Sequence, residues 1–254
     1  MILTDMLRIF TSACTLMLCA TLMPARAEVG PCKSDGRNGL ICGEGVGAAR
    51  VIAGSGSPSK RFALAWRSTK TAPLDPNADE WPYDLEDMLI RLSDGAILAR
   101  TMGIYFNTGN MEANRTAETG SWSPDSHYLV ETVEDRWSTP RFELYAIEAD
   151  DKLIGPVDLN KVVEPDLRAR LRRSGKNDAD YALQLYEDPH TGQPVVTIDR
   201  FGMVRAQAMM HIIKTDVQTT YDVILKIVQK GPSLHAKLLS IKLAHPQFVI
   251  CGLG

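Results

Sequence analysis

Aromatic residues are scarce in this chain of 254 residues, at 7%, and cysteines number only 5. So few cysteines exclude a fold held by a dense disulfide framework, and the length is enough to bury a core without one. Neither charge sign dominates, because 28 Lys and Arg stand against 31 Asp and Glu for a net charge of -3. A near-neutral, slightly acidic chain argues against nucleic acid as the partner. The histidines, His127, His190, His211, His235 and His245, form no H-x-H or H-x-x-x-H pair. A metal site would therefore need ligands from remote positions. No G-x-S-x-G elbow is present, and Gly54-Ser55-Gly56-Ser57 leads into a strand rather than a helix. Gly43-Glu44-Gly45-Val46-Gly47 lacks the Lys-Ser/Thr and the helix of a phosphate loop. The composition itself, 44% hydrophobic and 23% charged, is that of a globular protein and not of a disordered one.

What is present begins with a targeting segment. Arg8 precedes an apolar run from Ile9 to Met23, Pro24 breaks it, and Ala25-Arg26-Ala27 fits signal peptidase. Residues 1–27 are thus read as a cleaved signal peptide, with Glu28 as the mature start. The run is shorter than the ~20 residues a transmembrane anchor needs, and no later stretch is apolar enough to span. Neither Cys14 nor Cys19 suits a lipoprotein signal: Cys19 follows Leu18 where a small residue is wanted, and little apolar sequence precedes Cys14. Export implies a compartment that permits disulfides. Three cysteines remain after cleavage: Cys32, Cys42 and Cys251. Cys32–Cys42 is the favoured pair because the loop is short and Gly36 and Gly39 let it turn back. A clasp from Cys251 to either is the alternative.

Residues 28–47 read as an irregular segment, followed by a single domain over 48–254. Strand-like runs cover 48–53, 61–66, 86–92 and 96–106, with a tight turn at Ser93-Asp94-Gly95. The order then returns: Ser57-Pro58-Ser59-Lys60-Arg61-Phe62 aligns with Ser123-Pro124-Asp125-Ser126-His127-Tyr128, and 141–148 precedes a turn at 149–151. A fainter third copy runs over 194–243, where 219–229 and 234–243 alternate polar and apolar residues. The expected fold is all-β, with antiparallel four-stranded blade-like repeats forming a propeller-like or sandwich arrangement. Trp122-Ser123-Pro124-Asp125-Ser126-His127-Tyr128 resembles the signature of the TolB-like and WD40-like propeller repeats. Ser126 stands where that signature has glycine, and the third copy has no Ser-Pro. The resemblance implies blades that present loops for binding.

One segment departs from the β pattern. Around 164–174 a short inserted helix is expected, with Pro165 in its first turn, Leu167 and Leu171 on one face, and Gly175 at its stop. Its Arg168 and Arg172 are candidate partner-binding residues. So are Trp81 and Tyr83, an aromatic pair on a long acidic loop. In that loop Asp75, Asn77, Asp79 and Glu86 hold positions 1, 3, 5 and 12 of a calcium-loop pattern. Glu80 occupies the glycine position and Pro82 interrupts the wrap, so no tight calcium binding is expected, and no cofactor is.

These readings lead to an exported, periplasmic or secreted protein, not an enzyme, that binds another protein or an envelope component. The alternatives are a hydrolase with residues converging from separate repeats and a calcium-stabilised module.

Overall fold

The structure, a computed structural model, describes residues 29–36, 39–72, 85–101, 117–135, 137–186, 195–212 and 218–244. The signal segment, Trp81, Tyr83, Asp75, Asn77, Asp79 and Cys251 lie outside them. Among the described residues the fold is all-β, with three antiparallel sheets, one α-helix and no closure into a barrel.

The first sheet runs in chain order: β1 (Cys32–Ser34), β2 (Leu40–Cys42), β3 (Ala49–Val51), β4 (Phe62–Ser68), β5 (Leu85–Arg91) and β6 (Ile97–Thr101). The second is a four-stranded meander of β7 (Ala117–Trp122), β8 (Tyr128–Glu134), β9 (Arg141–Ile147) and β10 (Leu153–Asp158). Helix α1 (Asn160–Arg173) follows. The third sheet comprises β11 (Tyr181–Leu185), β12 (Val196–Ile198), β13 (Met203–Ile212), β14 (Gln218–Lys230) and β15 (Ser233–Leu243). Both β11 and β12 pair with successive stretches of β13.

Side-chain alternation decides how the sheets stack. On β8, Leu129 joins a core with Phe62, Leu64, Trp66 and Leu89 of the first sheet. Its neighbour Val130 faces the opposite way, into a core with Leu167 and Leu171 of α1 and Val204, Val223 and Leu225 of the third sheet. The second sheet is therefore the middle layer. Gly120 of β7 faces the first sheet without a side chain. A Cβ there would lie 3.1 Å from a Leu64 methyl carbon and 3.2 Å from one of Leu129.

Each sheet carries the same kind of turn at the same end. Lys60 N–H donates to Ser57 O at 2.9 Å, Ser126 N–H to Ser123 O at 2.9 Å and Gly202 N–H to Asp199 O at 3.0 Å. Ser57 Oγ accepts from Phe62 N–H at 3.1 Å, Ser123 Oγ from Tyr128 N–H at 2.9 Å and Asp199 Oδ1 from Met203 N–H at 3.0 Å. The closing residue of each turn has positive φ: 56° at Lys60, 62° at Ser126 and 71° at Gly202.

Two expectations are corrected. The segment 28–47 is not irregular throughout, because β1 and β2 extend the first sheet. Val29 N–H reaches Gly95 O at 3.0 Å, and Cys32 pairs with Cys42 through a disulfide across opposed positions. The helix starts at Asn160, so Pro165 lies inside it and not in its first turn. Burial of Leu159, Val163, Leu167 and Leu171 against the third sheet sets the start. Pro165 is exposed, so the Lys161 carbonyl that lacks its N–H partner can turn to water. The stop is as expected: Lys176 N–H bonds Leu171 O and Gly175 N–H bonds Arg172 O around Gly175.

Candidate functional site

Of the sequence candidates within the described residues, Arg168 and Arg172 line a shallow cavity of about 470 Å³ with Asn160, Lys161, Glu164 and Pro165. Both are engaged within the chain. Arg168 donates to Glu164 Oε1 at 2.8 Å, to Tyr181 O at 3.2 Å and to Asp178 O. Arg172 reaches Asp178 Oδ2 at 2.7 Å. These arginines fasten the helix to the segment that enters β11. Glu86 is on β5, where Arg67 and Arg100 contact its Oε2 at 2.9 and 2.5 Å. Burial alone would raise its carboxyl, but Arg67 and Arg100 outweigh burial and hold it below the ordinary value. Among the described residues no group of three or more His, Cys, Asp or Glu is arranged to hold a metal ion.

The described histidines are hydrogen-bonded. His127 Nδ1–H donates to Ile147 O at 2.7 Å, and its Nε2 lies 2.9 Å from the Gln229 amide. His211 reaches Trp137 O at 2.5 Å, and His235 meets Ser233 Oγ at 2.6 Å. His127 thereby ties the second sheet to the third at the turn end.

Two groupings emerge that motif reading missed. The first is a sealed set of carboxyls between the first and second sheets. Alternation puts Asp87 of β5, Glu118 of β7, Glu131 of β8, and Arg141, Glu143 and Tyr145 of β9 on facing surfaces. Asp87 and Glu131 are 0% exposed and Glu118 is 1% exposed. Thr101 Oγ1–H donates to Glu118 Oε1 at 3.1 Å, and Tyr145 O–H to Glu143 Oε2 at 2.8 Å. Arg141 also pairs with Glu143, while its Nε stays 3.8 Å from Glu131 Oε1. Burial pushes the Glu118 carboxyl well above the ordinary range, and the charges of Asp87 and Glu131 push it the same way. Burial raises Glu131 too, against the pull of Arg141. Asp87, Glu118 and Glu131 are sealed between the two sheets and bear on their packing, whereas Arg141 and Glu143 keep 17% side-chain exposure at the edge of the set. Their signal in the sequence is acid at positions where alternation demands an apolar residue, as in Tyr128-Leu129-Val130-Glu131-Thr132-Val133-Glu134.

The second grouping is open. At the turn end a cleft of about 520 Å³ is lined by Lys60, Arg61, Arg91, Leu92, Ser93, Asp94 and Asp151. Arg91 spends all three guanidinium nitrogens on carboxylates, with Nη1 2.7 Å from Asp151 Oδ2 and Nη2 2.5 Å from Asp94 Oδ2. Arg61 Nη2 meets Asp151 Oδ1 at 2.5 Å. Asp151 therefore bridges the β4 and β5 ends of the first sheet to the β9–β10 turn of the second. Nearby, Ser59 N–H donates to Ser126 Oγ at 2.9 Å, and Trp122 Nε1–H donates to Ser55 O at 2.8 Å. The turns of adjacent sheets are braced against one another around this cleft. No protein-family model and no curated protein sequence matches the chain.

Proposed function

We propose that this chain is an exported, periplasmic or secreted protein that binds another protein or an envelope component at its turn end, without catalysing a reaction. The observation that carries the reading is the bracing of the turns. Ser59 to Ser126, Arg61 and Arg91 to Asp151, and His127 to the Gln229 amide link three sheets at one end. A surface fixed in advance loses little entropy on binding. The open cleft lies in that surface, whereas the buried carboxyls are sealed from it. Export is supported by the signal-like segment and by the Cys32–Cys42 disulfide, which belongs to an oxidising compartment. Among the described residues no helix is long and apolar enough to cross a membrane. The likeness to TolB-like and WD40-like propeller repeats favours binding by fold-level analogy.

The test is a photo-reactive residue placed singly at exposed Ser93 in cells that produce the full chain, with exposed Lys237 of β15 as the comparison site. Discrete adducts from the Ser93 site in the exported fraction, absent from the Lys237 site, are expected. Equal adducts from both sites, or a chain retained in the cytoplasm, would contradict the reading.

A further inference from the structure

Resting on that reading of the turn end, we propose that the cleft takes a phosphorylated polyol or sugar. Lys60 and Arg61 receive the phosphate, while Asp94, Asp151 and Ser93 meet the hydroxyls.

The charges available to a ligand are unequal. Three cations and two carboxylates line the cleft, and Arg91 is committed to both carboxylates. Arg61 is 52% exposed and makes one ion pair through Nη2, which leaves Nε and Nη1 for an incoming acceptor. The Lys60 ammonium makes no ion pair or hydrogen bond among the described residues. Two cationic side chains with donors to spare, adjacent in sequence and facing one cavity, suit a phosphate group.

Backbone strain at Lys60 points the same way. Its φ of 56° is one that glycine adopts without cost, and Gly202 holds the equivalent place in the third sheet at 71°. Ser126, the other non-glycine there, serves the fold through its side chain by accepting the Ser59 N–H. The Lys60 side chain has no such structural return and lines the cleft. A strained residue whose side chain serves no packing or hydrogen-bonding need is a pointer to function.

The carboxylates refine the class. Asp151, at 9% side-chain exposure, is held in place by two arginines, and Asp94 is anchored by Arg91 and by Ala96 N–H. Carboxylate oxygens so fixed accept hydroxyl hydrogens well but repel a bare anion. The cavity of about 520 Å³ also exceeds the needs of a lone phosphate and is of the size that holds a small organic molecule. Phosphate with attached hydroxyls satisfies both halves of the lining. The source is either a free small phosphate ester or a phosphate-linked polyol polymer of the envelope, which share this chemistry.

Titration of the full mature chain with glycerol 3-phosphate, followed by calorimetry and backbone amide shifts, tests the assignment. Saturable binding with shifts at Lys60, Arg61 and Ser93 is expected. Inorganic phosphate should bind at least about fivefold more weakly, glycerol alone should not bind, and Lys60→Gln and Arg61→Gln should each weaken binding about tenfold. Tighter binding of a poly(glycerol phosphate) chain than of the monomer would identify the polymer as the source, and equal affinity the free ester. Inorganic phosphate binding as well as glycerol 3-phosphate, or shifts confined to residues outside the cleft, would overturn the proposal. Lys60→Arg, which keeps the charge, retains binding if charge is the recognised feature, and its loss would also count against the proposal. Should no phosphate ester bind while the Ser93 adducts persist, the phosphate assignment fails and the partner-binding reading stands. Should the esters bind while those adducts are absent, the cleft chemistry stands and the macromolecular partner does not.

Discussion

Replacing Glu118 by Gln should stabilise this protein at neutral pH and do little in mild acid. Glu118 is buried between two sheets with Asp87 and Glu131 beside it. Its carboxyl is raised by burial first and by those two charges next, so the folded chain keeps a proton that the unfolded chain releases above about 4.5. Stability from this group is complete below the unfolded value and is lost as pH rises toward the folded one. Each pH unit inside that window costs about 1.4 kcal/mol for one retained proton. Gln needs no proton: its Oε1 can accept from Thr101 as Glu118 Oε1 does, and its N–H can donate toward Glu131. We expect the advantage of Glu118→Gln over wild type to be almost nothing at pH 4.5 and to grow as pH rises, by up to about 1.4 kcal/mol per unit, so that its Tm is the higher one at pH 7.5. Subtracting wild type from variant at each pH is essential, since Glu86, Asp94 and Asp125 have lowered values and contribute with the opposite slope. Urea unfolding of both chains across pH 4.5–8 provides the assay. A variant less stable than wild type by the same amount at every pH would refute the reasoning.

Three further outcomes follow from particular contacts. Gly95→Ala should cost at least about 2 kcal/mol and speed amide exchange in β1, because a Cβ there falls 2.0 Å from Gly30 O at a φ of +71°. Removing the disulfide with Cys32→Ser and Cys42→Ser should lower stability by up to about 3 kcal/mol on the chain-entropy view, and peptide mapping without reductant should yield the linked pair. Lys60→Gly should raise stability by about 0.5–1 kcal/mol in thermal unfolding while abolishing the glycerol 3-phosphate shifts, since it relieves the left-handed backbone and deletes the ammonium.

The parts of this fold legible in the sequence are those fixed by neighbours along the chain. Alternation marks β14 and β15; Ser57-Pro58 and Ser123-Pro124 mark two of the turns; Gly175 marks the helix stop. The third turn escapes a Ser-Pro search because Asp199 Oδ1 accepts the bond that a Ser Oγ accepts in the other two. β7 escapes because Glu118 and Gly120 replace apolar residues on its inward face, one joining the buried carboxyls and the other allowing close sheet contact. The start of α1 was hidden by Pro165, whose exposed position makes its missing N–H tolerable. Neither site grouping is local. Asp151 meets Arg61 across 90 positions, and Glu118, Glu131 and Asp87 meet only once two sheets have found their register. Acid in an apolar register at Glu131 and a lysine in a glycine position at Lys60 are the faint marks that each left.

The central claim is that the turn end is the binding face, and hydrogen–deuterium exchange on the full chain with and without its crosslinked partner tests it most directly. The account predicts slowed exchange at 57–60, 92–95 and 148–151, around the cleft, with unchanged exchange at 135–139 and along α1. Protection at 135–139 or on α1, with the three turns exchanging as in the free protein, would contradict it.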